Sequence, residues 1–472
     1  MDMVAQITHR LQTILGEEAE TLAKETAFLQ RKRKISGADF VQQMIFAWWQ
    51  EPSITLEGLV QIGQRREVAM TASGISQRFT AQSALLMERI LQRLSAEHLQ
   101  ADEHVPVALL QRFSAVFVED SSVIALPEAL AKIWQGCGGR EGNSGAALKL
   151  FVRWEVLRGS LEGPTLRPGR HSDGRSPLAY EDLPVGSLCI NDLGFFSLER
   201  FRILSRPKES RRKRRYFLTR WQPGTALLTR SGHRITLKGI VPQAVGGRLQ
   251  MGVLVGAREK IPMRLLIERV PAEVATERQQ RMRETAAAHG REATQEMLEM
   301  AHWSIILTNV PTRLLSFDEV LILLRLRWQI ERLFRLWKEH GFIDEWCSKK
   351  PWRILTEIYS KLCAMVIQQW LITAGTWHDP ERSLFKAAQA LRREVNRIMV
   401  ALYEGGLEAT LRSILRTLGS GCQLNRRQQE PSTAQLLQGW SPIWPEEKTR
   451  PKPKATPTRG RPRKAVAAVL IT

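Results

Sequence analysis

Paired cysteines are absent. The five that occur, Cys137, Cys189, Cys347, Cys363 and Cys422, are scattered, odd in number and never spaced as CxxC. That excludes a disulfide framework and a cysteine-based zinc site, and it fits a reducing compartment. No apolar run approaches the ~18 residues that a membrane-spanning helix needs. The N-terminus, MDMVAQITHRLQ, carries charge early and lacks the apolar stretch of a secretory signal. The chain is therefore expected to be soluble and intracellular, with no membrane partner. The Gly-rich stretch 136–145 does not end in Gly-Lys-Ser/Thr, so a phosphate-binding P-loop is not expected. No internal repeat is found. Acid is also scarce: 48 Asp and Glu stand against 69 Lys and Arg, a formal net charge of +21. Such an excess points to a polyanion, nucleic acid before an anionic membrane surface; a solvated basic surface is the bland alternative.

What is present suffices for a packed protein. Hydrophobic residues make up 43% and charged residues 25% of 472, and at ~150 residues per domain about three domains are expected. Residues 1–105 read as helix, with apolar residues at helical spacing through Phe40, Met44, Ile45 and Trp48 and again through Leu85–Leu94. Within them, 56–79 fits either a helix-turn-helix, its second helix opening at Ile75-Ser76 with Gln77 and Arg78 exposed, or an ordinary bundle. FSAVFVED and VIAL read as strands, LPEALAKIW as a helix, and LKLFVRWEVL and GSLCIND as further strands. A β-rich text runs from Phe201 to Pro271, a charged helix covers 273–300, and WSIILTNV is a buried strand. A long helix spans Phe317–Lys338 and helices continue to about 440. After Trp444 the chain is Pro-rich and basic, and is expected to be disordered.

Two of these strands end in aspartate, Asp120 and Asp192, where functional sites collect at a sheet rim. On one continuous helix Leu324, Arg327, Glu331 and Lys338 would fall within about 60° of each other. Leu326, Ile330, Leu333 and Trp337 form a packing stripe roughly 115° away. Two aspartates and a glutamate can hold a pair of divalent metals, magnesium or manganese, ~3.5–4 Å apart for in-line phosphoryl displacement. Neighbouring Arg and Lys would hold the phosphates. Taken singly, a strand-end Asp is usually a turn residue and a helix Glu usually sits in water.

The words around those acids are distinctive. LRLRWQIERLFRLWK resembles the Tyr-x2-Arg-x3-Glu-x6-Lys signature of bacterial insertion-sequence DDE transposases, cut-and-paste enzymes with a ribonuclease H-like core. Arg327, Glu331 and Lys338 match it, and Leu324 stands in place of the tyrosine. VFVEDSS and INDLGFFSL are similar to the family's first and second Asp segments. The resemblance spans about 110–435. It implies Asp120, Asp192 and Glu331 as catalytic, metal-holding residues with two divalent ions. It implies phosphate contacts from Arg327 and Lys338, and a DNA contact from Arg220 in the opening strand of an inserted β-domain. Trp303 would stack on a flipped base in relatives that excise through a hairpin; otherwise it is a packed core residue. A tyrosine at 324 would point toward the strand-end phosphate.

The implied fold is an α/β ribonuclease H-like core, a mixed sheet flanked by helices, with a β-rich insertion and all-α terminal regions. The expected divisions are a helical DNA-binding segment 1–105, core 106–200 and 301–378, insertion 201–300, a helical region 379–445 suited to dimerisation, and tail 446–472. Two basic stretches add to the picture. RPKESRRKRR (206–215) has seven basic residues and one acid, and 448–464 has eight and no acid. Both would neutralise phosphates. The RGRPRK of the tail resembles an AT-hook, which would lay Arg459, Arg461 and Arg463 in a narrow minor groove. The function so implied is a transposase acting on double-stranded DNA as a homodimer in the bacterial cytoplasm. A decayed, non-catalytic DNA-binding relative and a structure-selective nuclease with the same core are the alternatives.

Overall fold

The computed structural model describes residues 1–30, 35–65, 67–138, 145–206, 214–241, 247–288, 290–424 and 433–439. The tail with Arg459, Arg461 and Arg463, and most of LNRRQQEPST, lie outside the described residues.

The strands are β1 Val116–Leu126, β2 Ala146–Glu155, β3 Leu161–Pro168, β4 Leu188–Asn191, β5 Tyr216–Arg220, β6 Leu227–Leu228, β7 Arg234–Ile235, β8 Arg248–Val255, β9 Ile261–Arg269 and β10 Trp303–Thr308. They form one mixed sheet in the order β3-β2-β1-β4-β5-β10-β9-β8-β6-β7. The β1–β4 and β4–β5 pairs are parallel; the β1–β2, β10–β5, β10–β9 and β8–β9 pairs are antiparallel.

Period-2 alternation sorts the strand residues between two cores. Val118, Ile190, Leu218, Leu266 and Ile306 face a large helical core. Cys189, Phe217, Leu265, Ile267, Ile305 and Leu307 face a smaller one, closed by Phe201 and Leu204 of the helix Leu198–Ser205. The axis of the large core is the helix Pro351–Thr376, buried on nearly every turn. The helices Gly37–Gln50 and Ala81–Ser95 from one end of the chain, and Leu384–Glu404 and Leu407–Gly421 from the other, pack around it. The two terminal helical regions thus share one core with the sheet.

Several sequence expectations change. FSAVFVED and VIAL are a single strand, because β2 pairs with β1 from Phe117 to Leu126; Asp120 is mid-strand, not at its end. LPEALAKIW holds only a short 3-10 turn, Glu128–Leu130, with Trp134 plugged into the core and its indole N–H donated to the Tyr359 hydroxyl at 2.9 Å. The strand Tyr216–Arg220 does not open a separate inserted domain: it lies between β4 and β10, and β6 to β9 continue the same sheet. No helix opens at Ile75-Ser76: those residues end a five-residue helix, Ala72–Ser76, with Ile75 buried. It stops early because the Thr80–Ser83 capping box starts the next helix. Arg78 turns back over the Phe28 ring, 6.0 Å from its centroid.

The long helix expected over Phe317–Lys338 is two, Phe317–Leu324 and Arg327–Glu339. At the junction the backbone tightens to i→i−3 bonds, Arg325 N–H to Ile322 O at 3.0 Å and Leu326 N–H to Leu323 O at 2.9 Å. The stripe Leu326, Ile330, Leu333 and Trp337 is buried as its spacing predicts.

Candidate active site

Register brings the first residues of the site together. Val118, Ile190 and Leu218 are level across the parallel strands β1, β4 and β5. Two residues further on stand Asp120, Asp192 and Arg220, returned to the same face by alternation. Asp192 follows the last β4 residue and keeps an extended backbone, φ −74° and ψ 168°, before the turn Leu193–Phe195. Adjacent strands lie about 4.8 Å apart, so the two carboxylates are lateral neighbours on the sheet.

The helix Arg327–Glu339 supplies the rest, packing along β1. Arg327 is buried; its Nε is 3.5 Å from Asp192 Oδ1, and its Nη1 donates to Glu331 Oε1. One guanidinium therefore ties an acid of the sheet to an acid of the helix. Lys338, two turns beyond Glu331, donates from Nζ to Val123 O at 2.9 Å, which fixes the helix along β1 just past Asp120.

Asp120 registers the crowding. It accepts the Ser121 N–H at 2.8 Å, yet burial pushes its carboxyl up to about 7. The negative charges of Asp192 and Glu331 push the same way, while the Ser121 N–H and Arg327 oppose. Arg220 is solvent-accessible in the wall of a crevice that partly desolvates it. Its pKa is lowered first by that desolvation and then by the Arg327 charge, against the pull of Asp192 and Glu331. All five charged groups, Asp120, Asp192, Glu331, Arg327 and Arg220, lie within electrostatic reach of one spot.

The crevice is lined by Leu193, Arg220, Trp221, Arg278 and Trp303, among others. Trp303, the first residue of β10, is half-buried against the smaller core while also forming this wall. Arg278 holds the strand from below, donating to Trp303 O at 3.2 Å and Ser304 Oγ at 3.1 Å.

Two expected placements fail. Leu324 is partly buried and packs against the large core; at Arg325-Leu326 the backbone stays in the αR region but tightens to i→i−3 bonds. Arg215 does not belong to a phosphate-facing run: it is buried, donating from Nε to Leu183 O at 2.6 Å and from Nη2 to Glu181 O. Residues 207–213 of that run lie outside the described residues. Beside Arg327, Trp328 is 52% exposed, with the Arg327 guanidinium 5.2 Å from its ring.

Among the described residues, no three His, Cys, Asp or Glu side chains stand close enough together to hold a metal ion. The donor chemistry nonetheless fits a hard divalent cation: three carboxylates whose repulsion is felt at Asp120. In this arrangement Arg327 supplies the counter-charge. Among the described residues no helix is long and apolar enough to cross a membrane.

With that geometry in view, likeness to known proteins is informative. Residues 113–367 match the family model described as "Transposase DDE domain", a span that begins just before β1 and ends inside the bundle axis. The chain is 26% identical over 420 residues to the transposase for insertion sequence element IS231C of Bacillus thuringiensis subsp. berliner, covering 81% of this chain and 87% of that one. It is 24% identical over 377 residues to the IS231F transposase of Bacillus thuringiensis subsp. israelensis, covering 75% and 77%. The IS1151 transposase of Clostridium perfringens is 22% identical over 380 residues, covering 75% and 78%. The matched span contains the row of level acids, the crevice and the helix that carries Glu331, and on that ground the chain belongs to the DDE transposases of bacterial insertion sequences.

Proposed function

We propose that this protein binds the terminal inverted repeats of its element, cuts the DNA there and joins the freed 3′ ends to a target duplex. The observation that supports this most is the convergence of Asp120 and Asp192, level on parallel strands, with Glu331 brought over them by a helix along β1. These three carboxylates would hold two magnesium or manganese ions within a ribonuclease H-like core. When bound, such ions activate the attacking oxygen and neutralise the leaving oxygen of an in-line displacement.

The chain's own groups do the rest. Arg327 and Lys338 bind phosphate oxygens of the strand being cut, Arg327 leaving its two carboxylates as it does so. Arg220 holds the same strand from the β5 side. Trp303 stacks on an unpaired base at the crevice, as a hairpin route would require. Recognition of the ends falls to the helical N-terminal region and to basic surfaces, including Arg459, Arg461 and Arg463 of the tail, with a homodimer pairing the two ends.

The test uses a duplex carrying the element's terminal repeat. Nicking in magnesium or manganese and none with chelator, followed by joining to a target plasmid, is the expected result. Binding without cleavage would favour a decayed transposase that only occupies DNA, a reading to which Leu324 in place of tyrosine gives some weight. Cleavage that never leads to joining would favour a nuclease.

A further inference from the structure

The reverse face of the sheet carries a row of buried polar side chains directly behind the two aspartates. Arg153, Glu119 and Asn191 are level on β2, β1 and β4, and are exposed by only 1%, 2% and 3%. Glu119 immediately precedes Asp120, and Asn191 immediately precedes Asp192. Each acid of the candidate pair therefore has a buried polar neighbour pointing the opposite way.

These groups are joined. Arg153 donates to Glu119 Oε2 from Nε and Nη2, both at 3.2 Å. Its Nη1 reaches Glu162 at 2.9 Å and Ala179 O at 2.7 Å. Tyr180, from the segment before β4, closes the row: its hydroxyl donates to Glu119 Oε2 and accepts the Asn191 side-chain N–H at 3.2 Å. The Tyr180 ring lies between two guanidiniums, Arg153 at 4.4 Å and Arg200 at 4.3 Å. Arg200 in turn donates to Phe195 O at 3.1 Å, in the turn that follows Asp192.

Register is what this network specifies. A two-residue slip of β4 against β1 would keep every side chain on its face, so apolar packing alone resists it weakly. It would, however, take Asn191 away from Tyr180 and Glu119, leaving buried polar groups unpaired at a cost of about 1–3 kcal/mol each. Such a slip would also separate Asp120 from Asp192.

We infer that Glu119, Arg153, Tyr180 and Asn191 are positioning residues: the Tyr180 hydroxyl, bonded to both strands at once, sets the spacing of Asp120 and Asp192 from behind the sheet. This rests on the reading of those aspartates as metal-holding residues. Groups hydrogen-bonded directly to metal ligands commonly change metal affinity or activity by about 10–100-fold when removed; these act through strand register instead, so the low end of that range is expected.

Tyr180→Phe is the informative change, because it keeps the ring between its two guanidiniums and removes only the hydroxyl. The full-length variant and wild type would be compared by calorimetric titration with manganese alone, by affinity for terminal-repeat DNA, and by single-turnover cleavage. The expected result is an about tenfold loss of manganese affinity and of cleavage rate, with DNA affinity and far-UV dichroism unchanged. A purely packing role predicts wild-type manganese affinity and cleavage in the folded variant, and that result would overturn the inference. If Tyr180→Phe does not fold, Asn191→Ala, which removes the other partner of the same hydroxyl, decides by the same two readouts. Wild type that neither binds manganese nor cleaves would overturn the metal-holding reading itself, and this inference with it.

Discussion

Replacing Asp120 by asparagine should stabilise the metal-free protein at alkaline pH while abolishing cleavage. The carboxyl titrates at about 7 in the folded chain against an ordinary value of 3.8. Between those values the folded state holds the proton and the unfolded state has released it, so stability falls as pH rises and the full penalty is present above pH 7. Three units at about 1.4 kcal/mol each give an upper bound of about 4 kcal/mol. Asp120 is only half-buried, and solvent screening reduces this to about 2 kcal/mol. Asparagine cannot ionise, and its carbonyl keeps the Ser121 N–H bond. Unfolding entropy of roughly 2 cal/mol/K per residue converts 2 kcal/mol into about 2 °C for a chain of this length. Melting of wild type and Asp120→Asn at pH 5, 6, 7 and 8 with chelator should show the variant's advantage growing with pH and levelling above 7. An advantage that is flat across the series, or a variant less stable at pH 8, would refute the burial of Asp120 beside like charges.

Asp192→Ala and Glu331→Ala should each abolish metal-dependent cleavage with affinity for terminal repeats retained, in a filter-binding and nicking assay run on the same samples; cleavage surviving in either variant would remove that acid from the site. Leu324→Tyr should lower the melting temperature, at a cost of about 1 kcal/mol for a hydroxyl and extra volume against the core, and should not raise the cleavage rate per folded molecule; a gain in rate would mean that this position reaches the strand end after all. Deleting residues 446–472 should flatten the salt dependence of DNA binding by about 0.9 in log–log slope for each phosphate that the tail neutralises. Comparing AT-rich with GC-rich duplexes then tells minor-groove insertion of Arg459, Arg461 and Arg463 from phosphate binding alone, and an unchanged slope on both would show that the tail does not touch DNA.

The sequence by itself named the candidate residues, most of their local elements and the family. Spacing put Arg327, Glu331 and Lys338 together on a helix and Leu326, Ile330, Leu333 and Trp337 on its packing face, because those relations span a few turns of one element. Apolar runs placed Asp192 at the end of a strand. Relations between elements were not written in any local pattern. Only the tertiary structure set Asp120 level with Asp192 and Arg220, since strand register is decided by pairing partners distant in the chain. It moved Tyr216–Arg220 from an inserted domain into the centre of the sheet, since a strand's text does not say which neighbour it joins. It packed Leu324 partly against the core, because the large helical cluster lies beside that segment, and it buried Arg215, which charge counting treats like any other arginine. The Glu119, Arg153, Tyr180 and Asn191 network was hidden for the same reason. Each residue looks ordinary in its own segment, and they become a unit only where three strands and one loop meet.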